Sequence, residues 1–307
     1  MAVGDGEPPV IGIFGPTASG KSAVAEGLAG LVPAELVSAD AMQVYDGLPI
    51  LTNQPARPTR LVAIWPLTHE ASVGEYARLA HGAIDEILAA GRLAIVVGGT
   101  GLYLRAALAE LELPPAPSPG ARERYEQLYD RSGGEEAHAL LASRGIAAAE
   151  AIHPNDRRRV VRALELVEAG TSLRPSRDRL WAGETRHATT VVGLDVPREL
   201  LDRRIRERTE AMFERGVEEE VRRALAQPLS STARHVIGLS EVADLPRDEA
   251  VAAIVRRTLR YAAYQRKWLR RIPGVVSLSA DRTPEEIARE VLEVARARQR
   301  LPAGSAG

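Results

Sequence analysis

The residues Gly15-Pro16-Thr17-Ala18-Ser19-Gly20-Lys21-Ser22 follow the spacing G-x-x-x-x-G-K-[ST], which builds a phosphate cradle. Glycines let the backbone curl so that successive N–H groups turn inward at a helix N-terminus and form an anion nest. Lys21 adds a mobile positive charge, and the Ser22 hydroxyl is positioned to ligate a Mg²⁺ held by the same phosphates. The chemistry predicted is binding of a di- or triphosphate. An enzyme that transfers the phosphoryl group itself would be expected to end a neighbouring apolar strand in Asp. Here residues 93–97 run instead into Gly98-Gly99-Thr100-Gly101, a tight turn that could form a second nest. The first acid after a core strand is Asp40. Strands of a parallel sheet end on one edge, so Asp40 is expected beside the phosphates, holding Mg²⁺ through water or acting as general base. The competing reading of Asp40 is a turn cap.

These residues need a scaffold. Short apolar runs at 10–14, 35–38 and 93–97 read as buried parallel strands, with helical patterns at 23–31 and 73–90 between them and a helix at 102–108 after the last. Residues 61–65, 189–194 and 275–278 read as further strands, and 198–226, 247–271 and 284–300 as long helices. The predicted fold is α/β: a P-loop NTPase-like parallel sheet core. The proline-dense stretch at 113–120 breaks this pattern, and the following residues to about Gly170 are helical in texture. The expected organisation is therefore a first part of the core at 1–119, a helical insertion at 120–185, and a return to the core at 186–307.

Composition excludes several classes. With 40 basic and 41 acidic residues, only a local patch could attract nucleic acid. The absence of cysteine removes disulfides and thiolate zinc sites. No run reaches the roughly 18 apolar residues of a membrane span, and no secretory leader pattern opens the chain, so a cytoplasmic protein without a membrane partner is expected. Two local basic stretches do occur. Arg157, Arg158, Arg159 and Arg162 cluster at a helix start, and residues 256–271 carry basic side chains without any acid. In the latter, Arg256, Arg260, Lys267 and Arg271 share one ridge, with Arg257, Tyr261, Tyr264 and Trp268 on the next. Basic residues interleaved with aromatics suit a phosphate backbone with unstacked bases.

Taken together, the phosphate loop, Ser38-Ala39-Asp40-Ala41-Met42-Gln43-Val44-Tyr45 and Val97-Gly98-Gly99-Thr100-Gly101-Leu102-Tyr103 resemble the bacterial tRNA dimethylallyltransferase family. The similarity continues through Ile152-His153-Pro154-Asn155-Asp156, Arg158-Arg159-Val160-Val161-Arg162, Arg208, Gly216-Val217, Glu220-Val221 and Ile237-Gly238. It ends with Thr258, Gln265 and Trp268. The resemblance implies transfer of the dimethylallyl group of dimethylallyl diphosphate to N6 of adenosine 37, beside the tRNA anticodon. It implies that residues 15–22 with Thr100 hold the diphosphate, with Ser22 on Mg²⁺, and that Asp40 acts on the adenine amine. It implies that Arg208 stabilises charge on the leaving diphosphate. By the same resemblance Asp40, Ala41, Met42, Gln43, Arg158, Arg159, Val160, Val161 and Arg162 face the tRNA, joined by Arg260 and Lys267 from the basic helix. The base must leave the anticodon-loop stack to be reached. A monomer is expected.

The chain departs from the family pattern on the acceptor side. Ala41 stands where Ser is usual, Gln54 where Lys is usual and Leu239 where Tyr is usual. Leu259, Ala263 and Tyr264 replace polar or basic residues of the C-terminal helix. The competing activities are prenylation of a free adenine nucleotide and a small-molecule P-loop kinase. A silent RNA-binding remnant is disfavoured by the intact Lys21, Ser22, Asp40 and Arg208.

Overall fold

The computed structural model describes residues 10–113, 118, 120–145, 149–150, 152–171 and 180–300. Five strands form one wholly parallel sheet: β1 (Val10–Phe14), β2 (Ala34–Ser38), β3 (Leu93–Gly98), β4 (Thr189–Asp195) and β5 (Val276–Ser279). Their order is β2-β3-β1-β4-β5, so β1 is central, with Ile11 opposite Ile95 on one side and Thr190 on the other. Every residue of β1 and β3 is buried, as strands covered on both faces must be. This is the P-loop α/β architecture expected.

Around the sheet lie α1 (Lys21–Leu31), α2 (Val73–Ala89) and α3 (Gly101–Leu108). Helices α4 (Ala121–Arg144) and α5 (Arg157–Glu168) belong to a separate compact unit, Leu111–Leu180. The chain then supplies α6 (Arg198–Glu214), α7 (Val217–Leu225), α8 (Leu239–Asp244), α9 (Arg247–Leu269) and α10 (Pro284–Arg300). The main core joins Ile11, Ile13, Ile95 and Val192 of the sheet to Val24 and Leu28 of α1 and to Ile287, Ala288 and Val291 of α10. The second unit has its own core, built on Tyr125, Leu141, Val160, Val161 and Leu164. It starts and ends earlier than the 120–185 read from sequence. Residues 114–117 and 119 of the proline-dense stretch lie outside the described residues, as do 172–179 of the loop that follows α5.

Two expected elements differ. Residues 61–65 are not a strand: Leu61 and Ala63 take left-handed backbone angles, with φ of 65° and 52°, and only single bridges form at Arg60 and Trp65. Leu61 and Trp65 are apolar because a loop buries them. The helix expected over 198–226 is two helices, because Gly216 has φ 86°, a conformation that ends α6 and starts α7. No helix among the described residues is long and apolar enough to cross a membrane.

Candidate functional site

The phosphate loop leaves the C-terminal end of β1, where a parallel sheet presents its ligands. Its turn is held by Ser19 N–H donating to the Pro16 carbonyl at 3.1 Å, and Ala18 takes a left-handed φ of 63°. Any Cβ at Gly15 would lie 2.6 Å from Ser19 Oγ, so the loop closes tightly on itself. That hydroxyl is buried and has no hydrogen-bond partner among the described residues. α1 follows with no acidic residue in its first turn, leaving its leading N–H groups free of intrahelical partners and of competing carboxylates.

The exits of β2 and β3 are zipped together beside this loop. Ala39 N–H donates to Val97 O at 2.8 Å, and Thr100 N–H donates to Ala39 O at 3.3 Å. A Cβ at Gly98 would sit 2.1 Å from the Ala39 carbonyl, which explains why this strand end is glycine. Thr100 Oγ1 then accepts Ala41 N–H at 3.1 Å and lies 3.3 Å from the Tyr261 hydroxyl. Asp40 Oδ1 accepts Met42 N–H at 3.0 Å, so the turn-capping reading of this carboxylate is correct as far as one oxygen goes. Its side chain still lines a pocket with Lys21, Ser22, Glu26 and Gln43.

Several groups around this pocket are shifted from their ordinary values. Burial lowers the Lys21 ammonium to about 8, opposed by the nearby Asp40 charge and reinforced by Arg208. Burial also lowers Arg208, again with Asp40 opposing. Burial and the Asp40 charge raise Tyr261, and burial, Tyr103 and Asp40 raise Tyr76. Asp40 is thus the shared neighbour of two cations from distant parts of the chain. Lys21 makes one long contact, 3.4 Å to the Pro16 carbonyl, and Arg208 has no hydrogen bond or ion pair among the described residues.

Other residues singled out from sequence fall into distinct settings. Gln43 is committed to the fold: its amide donates to Asn53 O at 2.9 Å and Thr52 O at 3.3 Å, and its oxygen accepts Ser38 Oγ–H at 3.0 Å. Gln54, the residue in place of the family's Lys, donates to Tyr45 O at 2.7 Å and holds the same loop. Val160 and Val161 are core residues of the helical unit and offer no surface, because the hydrophobic face of α5 turns them inward. Arg162 pairs with the buried Glu165 at 2.7 Å, Arg157 with Asp130, and Arg159 with Asp156 at 3.4 Å. Arg158 is exposed and unpaired among the described residues. On α9, Arg256, Arg260 and Lys267 are likewise exposed and unpaired, whereas Arg257 pairs with Glu241, Arg266 with Asp195, and Arg271 stacks over Trp181 at 3.8 Å.

Sequence reasoning gave Gln265 no role, yet it is 1% exposed and reaches the phosphate loop. Thr17 N–H donates to its Oε1 at 2.8 Å, and its Nε2 donates to Gly99 O at 2.9 Å. Thr17 therefore offers an incoming anion its hydroxyl rather than its backbone N–H. Its place among the residues that carry the family resemblance is the signal in the sequence; its role follows from α9 packing on the site.

A phosphate loop leaving the central strand of a parallel sheet, with the Asp40 carboxylate beside it, defines a P-loop α/β protein. Residues 43–272 match the family model described as IPP transferase. The chain belongs to that family. It is 42% identical over 292 residues to a tRNA dimethylallyltransferase of Streptomyces coelicolor, an alignment covering 90% of this chain and 93% of that one. Among solved structures it resembles the tRNA isopentenylpyrophosphate transferase of Bacillus halodurans, with a TM-score of 0.68, 29% identity and coverage of 94% and 97% of the two chains. It also resembles a eukaryotic dimethylallyltransferase acting on tRNA, with a TM-score of 0.72, 25% identity and coverage of 88% and 73%.

Proposed function

We propose that this protein transfers the dimethylallyl group of dimethylallyl diphosphate to N6 of adenosine 37 in tRNA. The observation that carries the reading is one carboxylate, Asp40, lining a pocket with Lys21 and Ser22 of the phosphate loop and acting electrostatically on both Lys21 and Arg208. An allylic transfer needs both parts: positive charge for the leaving diphosphate and a base for the incoming amine. The loop amides, the Thr17 hydroxyl, Lys21 and Arg208 bind the diphosphate. As the bond between the allyl carbon and the diphosphate oxygen breaks, its electrons pass to the diphosphate, where these donors stabilise them. The N6 lone pair forms the new C–N bond, and the N6 proton passes to Asp40. Thr100 keeps Asp40 in position by holding the Ala41 amide.

Ser22, the second residue of α1, lines the pocket with Asp40, and no group of three acidic or histidine side chains gathers among the described residues. That donor set fits Mg²⁺, which takes one or two protein oxygens with substrate phosphates and water and needs no all-protein cage. Bound there by Ser22, the ion would neutralise charge on the diphosphate. Arg158, Arg260 and Lys267, exposed and unpaired, supply phosphate-backbone contacts for the tRNA, with the helical unit also facing it. The protein acts as a monomer in this reading, and the target base is flipped into the pocket.

The test is incubation with dimethylallyl diphosphate and Mg²⁺, offering tRNA in one reaction and AMP in another. The expected result is a five-carbon mass increase on one adenosine of the digested tRNA and none on AMP. Modification of AMP alone would replace the acceptor, and tight ATP binding without allyl diphosphate binding would overturn the donor.

A further inference from the structure

One face of α9 ties the two halves of the site together. Tyr261 and Gln265 are four residues apart and so lie one above the other on the helix. Gln265 bridges the donor side, accepting Thr17 N–H and donating to Gly99 O. Tyr261 touches the acceptor side through Thr100 Oγ1, the atom that holds Ala41 N–H next to Asp40. Neither contact is local, since 248 residues separate Thr17 from Gln265 and 161 separate Thr100 from Tyr261. Gln265 is buried and both ends of its amide are used, which is the arrangement of a side chain that fixes two backbones relative to each other. Gly99 allows this approach, because a Cβ there would lie 2.3 Å from Gln265 Nε2.

We propose that Tyr261 and Gln265 are positioning residues that brace the phosphate loop against the turn carrying Asp40. Gln265 sets the donor loop and Tyr261 sets the base. This rests on the allyl-transfer reading above. The two residues should then fail differently, although they stand on one helix. Gln265→Met keeps the volume but frees Thr17 N–H and Gly99 O, so affinity for inorganic diphosphate should fall about tenfold, the size of one or two lost hydrogen bonds. Tyr261→Phe removes a hydroxyl that meets Thr100 and the Gln265 side chain but leaves both amide bonds of Gln265 in place, so diphosphate affinity should fall far less than in Gln265→Met while the single-turnover rate at saturating donor falls several-fold.

The experiment measures diphosphate binding by calorimetry for the wild type and both variants, without acceptor, and then the single-turnover rate with tRNA. Circular dichroism melts accompany both. A merely structural role would lower the melting temperature and shift both readouts in the same proportion for both variants, and that outcome would overturn the proposal. So would unchanged diphosphate affinity in Gln265→Met. Should that variant not fold, Gly99→Ala pushes the same amide away from the other side and should show the same loss of diphosphate affinity. A wild type that binds no diphosphate would instead refute the functional reading itself, so the two failures are told apart.

Discussion

In the helical unit the buried Glu165 carboxylate meets Arg122 at 3.1 Å and Arg162 at 2.7 Å, whereas beside the phosphate loop of the α/β unit Lys21 and Arg208, both lowered by burial, make no ion pair among the described residues. The first group is complete: the buried charge is matched twice over, and its arginines reach solvent. The second is left open: its cations are buried without an ion pair among the described residues, in a place that penalises their charge. Desolvating a cation without a partner costs free energy, so an arrangement of this kind persists where an anion repays the cost on binding. Matched charges hold a fold together, and mismatched ones mark where a ligand goes.

Four experiments test this contrast. Asp40→Asn should have the largest effect, lowering the single-turnover rate roughly 10²–10⁴-fold as for a lost general base. Diphosphate affinity should hold or tighten, because the pocket becomes more positive; a variant with the wild-type rate would remove Asp40 from the chemistry. Glu165→Ala should act in the opposite sense, costing about 3 kcal/mol of stability in denaturant unfolding while leaving diphosphate affinity alone. Equal loss of both would mean that the two regions are not separable.

Lys21→Met should weaken diphosphate binding by about 2 kcal/mol, the worth of a charge-assisted contact, without lowering the melting temperature at pH 7. The sign follows from Lys21 being lowered to about 8 in the fold from 10.5. Below pH 8 the charged form is held against its burial, so removing it costs the fold nothing. Between about 8 and 10.5 the unfolded chain binds the extra proton, so this group makes wild-type stability rise with pH. Diphosphate favours the charged form, so wild-type affinity should decline as pH rises through about 8, with proton uptake visible as buffer-dependent calorimetric heats. A flat profile identical to that of Lys21→Met would contradict the assignment. The smallest effect belongs to Arg260→Ala combined with Lys267→Ala. Each lost phosphate contact should reduce the salt slope of tRNA binding by about 0.7–1. An unchanged slope would make this ridge a solvated face.

Much of the scaffold was legible because buried parallel strands leave short apolar runs between turn residues, as at 10–14 and 93–97. The stretch 61–65 carries the same composition, but left-handed Leu61 and Ala63 prevent pairing, and single-sequence patterns do not encode that choice. Asp40 was legible because topology forces strand ends to one edge. Gln265 was legible as a family-matching residue but its role was not, because its two partners, Thr17 N–H and Gly99 O, lie far away in sequence and meet it only when α9 packs. The basic run at 256–271 was legible as charge, but three of its arginines are taken up by Glu241, Asp195 and Trp181. Which charges remain for a partner is a property of packing alone.

The position of β1 between β3 and β4 bears on how the chain is made. During vectorial synthesis β1 and α1 emerge before the rest of the sheet, yet one edge of β1 stays unpaired until β4 is made, after the whole helical unit. The inner face of α1 waits longer still, for Ile287, Ala288 and Val291 of α10. The helical unit, built from contacts close in sequence, can fold early, whereas the central strand exposes a sticky edge for most of translation. The phosphate loop hangs between that strand and α1, so the order of the donor site depends on packing partners, β4 and α10, that are synthesised long after it.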